Sequence, residues 1–271
     1  EFERARKALD EKLKDAIKFC AENVRKFHEE QKNREERRWL TEVRPGVWAG
    51  EQISPLPSIG LYVPRGKGAF PSVMYMLAAP AVVAGIKKIA VCTPPTPNGS
   101  VDDASLFTAE VCGVKDVYKA GGAQAIAALA YGTETIPKVV KVIGPGNSYV
   151  AAARRLLSDF INPGMPAGPS EAIIFADETA NVKNTALDLL NEAEHGPDSA
   201  SILVTHSEKL AKEIEKILPE MIAQLPPQRQ DFCTRGFANY GGIVITSSLE
   251  ESIEFCNEYA VEHLHLRSEE H

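Results

Sequence analysis

The chain has 271 residues, 44% of them hydrophobic and 25% charged, with a formal net charge of −7. That length can bury one large core or two modest ones, and the composition is that of an ordinary globular protein. The acidic balance argues against nucleic acid as a partner, and no run reaches the roughly 18 apolar residues of a membrane span.

Residues 1–35 carry apolar positions at helical spacing among Glu, Lys and Arg, including Leu9, Leu13, Ala16, Ile17, Phe19 and Val24. They predict one long N-terminal helix, in a region that ends at Pro45-Gly46. A charged, helical start is not that of a signal peptide. Arg34, Arg37 and Arg38 cluster but alternate with Glu35 and Glu36, as on a solvated face. From Ile59 onward short apolar runs alternate with amphipathic helices, the pattern of βαβ units on a parallel sheet. Strands are predicted at 61–64, 88–92, 116–118 and 139–143. The helices between and after them fall at 71–85, from 101, at 122–131 and at 147–158. A second series places strands at 171–176, 201–205, 242–246 and 263–266. Its helices fall at 182–194, 207–224 and 249–259, with Ser207 as an N-cap.

The two series predict an α/β protein of two Rossmann-like units, each a parallel sheet flanked by helices. Boundaries near residues 60 and 170 suggest one continuous unit over 61–170. The other would be discontinuous, assembled from 1–60 and 171–271. Cys20, Cys92, Cys112, Cys233 and Cys256 are odd in number and lack CxxC spacing. They read as reduced thiols in a cytoplasmic protein, with Cys92 in the core.

Three Gly-rich turns follow strands of the first series: Pro64-Arg-Gly-Lys-Gly68, Gly121-Gly-Ala-Gln124 and Gly144-Pro-Gly-Asn147. Backbone amides at such turns can hold a pyrophosphate, although none of the three matches GxGxxG or a Walker loop. Equally, the glycines could simply close tight strand–helix connections. Arg65 and Lys67 add cations that suit either an anionic substrate or a cofactor phosphate.

Glu192 and His195 are three residues apart on a predicted helix and share a face. Carboxylate and imidazole suit zinc, but two donors do not complete a site, and a helix end with a favourable dipole also explains them. Glu194 is expected to point away into solvent. Glu262 and His263 open the last predicted strand, where they could work together only at the strand's lip. His265 would share the face of His263. His206 and His28 read as surface residues flanking helices, and His271 is the last residue.

Several longer strings resemble one family in one order: Gly60-Leu-Tyr-Val-Pro64, Gly121 through Glu134, Gly144-Pro-Gly-Asn147, Met165-Pro-Ala-Gly-Pro-Ser-Glu171 and Ala193-Glu-His-Gly-Pro-Asp198. The chain is similar, nearly end to end, to the histidinol dehydrogenases. The resemblance implies a zinc-dependent homodimer that oxidises an amino alcohol to the carboxylate in two NAD-dependent steps. It implies that Tyr62, Gln124 and Asn147 contact NAD, that Ser170 touches the substrate, and that His195 binds zinc. Glu192 stands where the family has a metal-binding Gln, and Glu262-His263 match the catalytic pair. The family's N-terminal region, and an Asp and a His that complete the zinc site, are expected outside these 271 residues. The chain by itself is therefore expected to hold metal weakly and to turn over little. A relative oxidising another polar alcohol, such as a dihydroxypropane sulfonate, is the alternative, as is a nucleotide-binding piece without activity of its own.

Overall fold

The computed structural model describes residues 1–66, 68–165 and 168–268. Lys67, Pro166, Ala167 and His271 therefore lie outside the described residues. The N-terminal helix predicted as one element is two, α1 (Phe2–Ala8) and α2 (Glu11–Arg34). Asp10 divides them: its backbone is extended and its carboxylate accepts from the Leu13 amide at 2.8 Å, capping α2. A hairpin that sequence reading misses comes next, β1 (Arg38–Arg44) paired antiparallel with β2 (Val47–Gln52). Both strands are exposed along their length, so no in–out alternation marks them.

The first parallel sheet holds β3 (Ser58–Tyr62), β4 (Lys88–Thr93), β5 (Val117–Lys119) and β6 (Val142–Ile143) in the order β5-β4-β3-β6. Its crossovers are α3 (Pro71–Val83), α4 (Asp103–Val111) and α5 (Gly122–Tyr131), with α6 (Ser148–Leu156) following β6. β6 is shorter than predicted because Val139 gives its amide to the Leu129 carbonyl at the end of α5 rather than to the sheet. On one face Ile126, Leu129 and Val150 bury the sheet, and on the other Met74 and Ala78 cover Leu61 and Val91.

The second sheet holds β7 (Glu171–Ala176), β8 (Ala200–Thr205), β9 (Gly242–Ile245) and β10 (His263–Arg267) in the order β10-β7-β8-β9, again all parallel. Helices α7 (Val182–Ala193) and α8 (Glu208–Ala223) cover one face through Leu189, Leu210 and Ile214, and α10 (Leu249–Tyr259) covers the other through Leu249 and Phe255. Helix α9 (Pro227–Asn239) is unpredicted. It is largely polar and buries only Phe232, Cys233 and Gly236, too few to make a stripe.

Contacts divide the chain into one unit over 1–167 and another over 168–271. The expected grouping of 1–60 with 171–271 is not the grouping these contacts give. Helix α1 packs on α4, and α2 on α3 and α4, which buries Ala5, Ile17 and Ala21 within the first unit. Counted within its own sheet, each parallel sheet runs third, second, first, fourth strand. Burial pushes the Cys92 thiol up to about 12, as befits the predicted core residue, and all five cysteines are free. Among the described residues no helix is long and apolar enough to cross a membrane.

Gly144, directly after β6, is where the first sheet is tightest. Its φ is +123°, and a Cβ there would lie 2.1 Å from the Tyr62 carbonyl oxygen. Gly99 has a φ of +76° but open space around it. Gly144→Ala is expected to cost at least about 2 kcal/mol, against about 1 kcal/mol for Gly99→Ala, because only the first meets fixed backbone. Equilibrium urea unfolding of both variants checks the ranking, and equal midpoints would refute it.

Candidate active site

In an open parallel sheet the carboxyl ends of the strands and the starts of the following helices share one edge, and a crevice opens where the strand order reverses. In the first unit that point lies between β3 and β6. Tyr62 ends β3, Gln124 lies in the first turn of α5, and Asn147 is the N-cap of α6, so the three predicted cofactor residues occupy the same edge. They differ in exposure. The Tyr62 side chain is buried, and its hydroxyl accepts the Gly122 amide at 2.9 Å, which ties β3 to the start of α5. Gln124 and Asn147 are exposed, and Asn147 Oδ1 accepts from the Val150 amide at 3.1 Å. No side-chain cap closes α5, whose N-cap Gly121 packs so closely on Pro94 that a Cβ would lie 2.5 Å from its ring. Arg65, just past β3, is half-buried, and its Nε is shielded from solvent with no hydrogen-bond partner among the described residues.

The remaining candidates gather at the opposite, amino edge of the second sheet. Ser170 precedes β7 and its carbonyl accepts from Ala200 at the start of β8 at 2.9 Å. Glu192 lies in the last turn of α7 and is 4% exposed. His195 follows the helix end, with Nδ1 3.1 Å from the Glu192 carbonyl and 3.4 Å from Glu192 Oε1. That second distance is long for a hydrogen bond, and Oε1 is left buried without a hydrogen-bond partner among the described residues. A carboxylate oxygen so placed is costly unless a cation comes to it. The neighbouring Glu192 carboxylate raises the His195 pKa, opposed by burial of the ring.

Register ties the last strand to the same corner. His263, His265 and Arg267 align with Ala172, Ile174 and Ala176, so the two histidines share one face, as expected, and it is the face covered by α7 and α8. Arg267 Nε donates to Asp188 Oδ2 of α7 at 2.6 Å, and His265 Nδ1 lies 3.9 Å from the same oxygen. Glu192 is one turn beyond Asp188 and His263 is two residues before His265, so the next step along both elements brings Glu192 and His263 to the same edge and side. Glu262 Oε1 lies 3.7 Å from His263 Nε2, with both side chains more than half exposed at the strand's lip. Among the described residues no three His, Cys, Asp or Glu side chains converge to hold a metal, so Glu192 and His195 stand as a pair.

Three features were not foreseen. Glu194, expected in solvent, faces Arg229 of α9 at 3.9 Å, and Arg229 Nη1 also donates to the Glu194 carbonyl at 2.7 Å. Asp188 orients β10 against α7; its place four residues before Glu192 on one helix face was the available signal. His206 is half-buried rather than fully at the surface. Its side chain is 25% exposed, and Nε2 is 3.4 Å from Glu178 at the carboxyl edge of the second sheet.

The raised pKa of His195 has a defined consequence. Its cationic form is favoured in the fold, so its contribution is fully present below the ordinary imidazole pKa near 6.5 and is lost as pH rises through the folded value. In chelator-treated protein, the stability advantage of wild type over His195→Asn should be larger at about pH 5.5 than at about pH 8, read from urea midpoints. A pH-independent difference would contradict the pairing with Glu192.

The histidinol dehydrogenase family model matches residues 1–271. A curated histidinol dehydrogenase of Synechocystis sp. is 55% identical over 264 residues, covering 97% of this chain and 60% of that protein. A Rhizobium meliloti protein described as a histidinol dehydrogenase homolog is 54% identical over 271 residues, covering 100% of this chain and 59% of its own. The crystal structure of histidinol dehydrogenase from Elizabethkingia anophelis matches with a TM-score of 0.88 at 40% identity, covering 99% of this chain and 61% of that one. The chain thus spans about 60% of the length of these relatives. A match over every residue, at these identities and on the same α/β fold, means that the chain belongs to the histidinol dehydrogenase family.

Proposed function

We propose that this chain carries the cofactor turns and part of the metal and acid–base groups of a cytoplasmic, homodimeric oxidoreductase that converts L-histidinol to L-histidine through the aldehyde, using zinc and two NAD. The observation that carries the reading is the buried Oε1 of Glu192, which has no hydrogen-bond partner among the described residues and has His195 beside it at 3.4 Å, at the edge reached by His263. An oxygen and an imidazole nitrogen are a fitting donor pair for zinc, and they would hold it with donors from outside the described residues. The five free thiols support the compartment.

When bound, zinc would polarise the substrate hydroxyl and NAD would accept hydride. Ser170 would orient the substrate at the amino edge of β7. His263, exposed and on the α7 side, would take the hydroxyl proton. Glu262, at 3.7 Å, would hold that imidazole and then take a proton from the water that adds to the aldehyde. Gln124 and Asn147 would contact NAD directly, while the buried Tyr62 would act through the Gly122 turn that its hydroxyl anchors.

One observation is compatible with a second substrate. The unpartnered Nε of Arg65 suits an anionic group, as in a dihydroxypropane sulfonate, although a cofactor phosphate would satisfy it equally. NADH formation by the full-length protein with each alcohol separates the two, and no turnover of histidinol would remove the first. His263→Asn should lower kcat by at least about 100-fold while zinc content holds; an unchanged kcat would remove His263 from the chemistry. The 271-residue chain should lose its zinc on dialysis, and a full equivalent retained would show that Glu192 and His195 need no further ligands from outside it.

A further inference from the structure

We propose that Arg154 is a positioning residue that holds the Gly144-Pro-Gly-Asn147 turn in its ligand-binding shape. The inference rests on the reading of that turn as part of the NAD site. Arg154 lies on the inner face of α6, is 5% exposed, and among the described residues has only backbone carbonyls as hydrogen-bond partners. Nη1 donates to the Gly144 carbonyl at 2.7 Å, Nε to the Pro163 carbonyl at 2.7 Å, and Nη2 to the Met165 carbonyl at 3.0 Å as well as to that of Pro163.

A guanidinium buried without a carboxylate is expensive, and a neutral side chain could fill the same volume without that cost. What the charge adds is a planar fork whose donors reach two segments at once. One segment is the turn after β6; the other is the stretch 163–165. The turn needs such a hold. Gly144 sits at φ +123° against the Tyr62 carbonyl, with no side chain of its own to lock it. Asn147 caps α6 only while the turn delivers it to the Val150 amide. Anchoring Gly144 from below thus pre-organises both the cap and the first amides of α6, which lowers the ordering cost of binding an anionic ligand there.

The test uses the full-length protein and NADH as the probe. Arg154→Met should weaken NADH binding by about tenfold or more, and Arg154→Lys, whose ammonium still donates to carbonyls, should stay within about threefold of wild type. Gly164→Ala should weaken binding from outside the residue, since its Cβ would lie 3.1 Å from Arg154 Nη2, and it carries the comparison if Arg154→Met does not fold. Hydrogen exchange at the Gly144, Gly146 and Asn147 amides should speed up in the weakened variants while β3 and β4 stay protected. Folded Arg154→Met, or failing that Gly164→Ala, with wild-type NADH affinity and unchanged exchange would overturn the proposal. A wild type that binds no NADH, with exchange still accelerated in the variants, would overturn the NAD reading and leave the hold on the turn.

Discussion

Parallel pairing is the constraint on which the rest of this structure depends. Each strand must be returned to the start of the next by a crossover, so all carboxyl ends emerge at one edge and all amino ends at the other. In the first unit this gathers the turns after β3, β5 and β6, although they are spread along the chain from residue 64 to residue 147. In the second it gathers Ser170 before β7, the end of α7 before β8, and Glu262-His263 at the start of β10. The two units share a strand order yet present their candidate groups at opposite edges. The rule that ligands sit at the carboxyl edge of an open sheet finds the first set and not the second.

The edges differ in chemistry because they differ in what is buried there. The carboxyl edge of the first unit is built of close glycine contacts, Gly121 on Pro94 and Gly144 on the Tyr62 carbonyl. Such a surface offers amides and shape. The amino edge of the second unit instead buries one carboxylate, Glu192, beside a half-exposed imidazole. A lone buried carboxylate oxygen is a standing electrostatic demand, and the fold meets it only in part through His195. Arg229 meanwhile holds Glu194, so that of the two neighbouring carboxylates only Glu192 is left facing inward.

Buried and partly buried charges in this chain are used to hold backbone as well as to pair with each other. Arg154 satisfies itself on three carbonyls, Arg229 on the carbonyl of Glu194 just past α7, and Asp188 on Arg267 of the edge strand. Each joins a helix to a loop or strand that carries a candidate residue. The core itself is conventional, with helices on both faces of each sheet and strands β3 and β8 buried through their length.

The sequence by itself determined the α/β class, the parallel strands, most helix bounds and the family strings, because hydrophobic period and Gly/Pro punctuation are local properties. It also placed Glu192 with His195 and His263 with His265, since helical and extended periods settle which neighbours share a face. Elements without a burial pattern escaped it, namely the exposed β1–β2 hairpin and the polar α9. So did the break at Asp10, where one cap outweighs a continuing stripe. Only the tertiary structure decided that α1 and α2 pack on the helices of the first unit, that Glu194 faces Arg229, that His206 is half-buried, and that Arg154 spans two loops. Those outcomes depend on contacts between residues distant in the chain, whose strength is set by burial and geometry that no local spacing encodes.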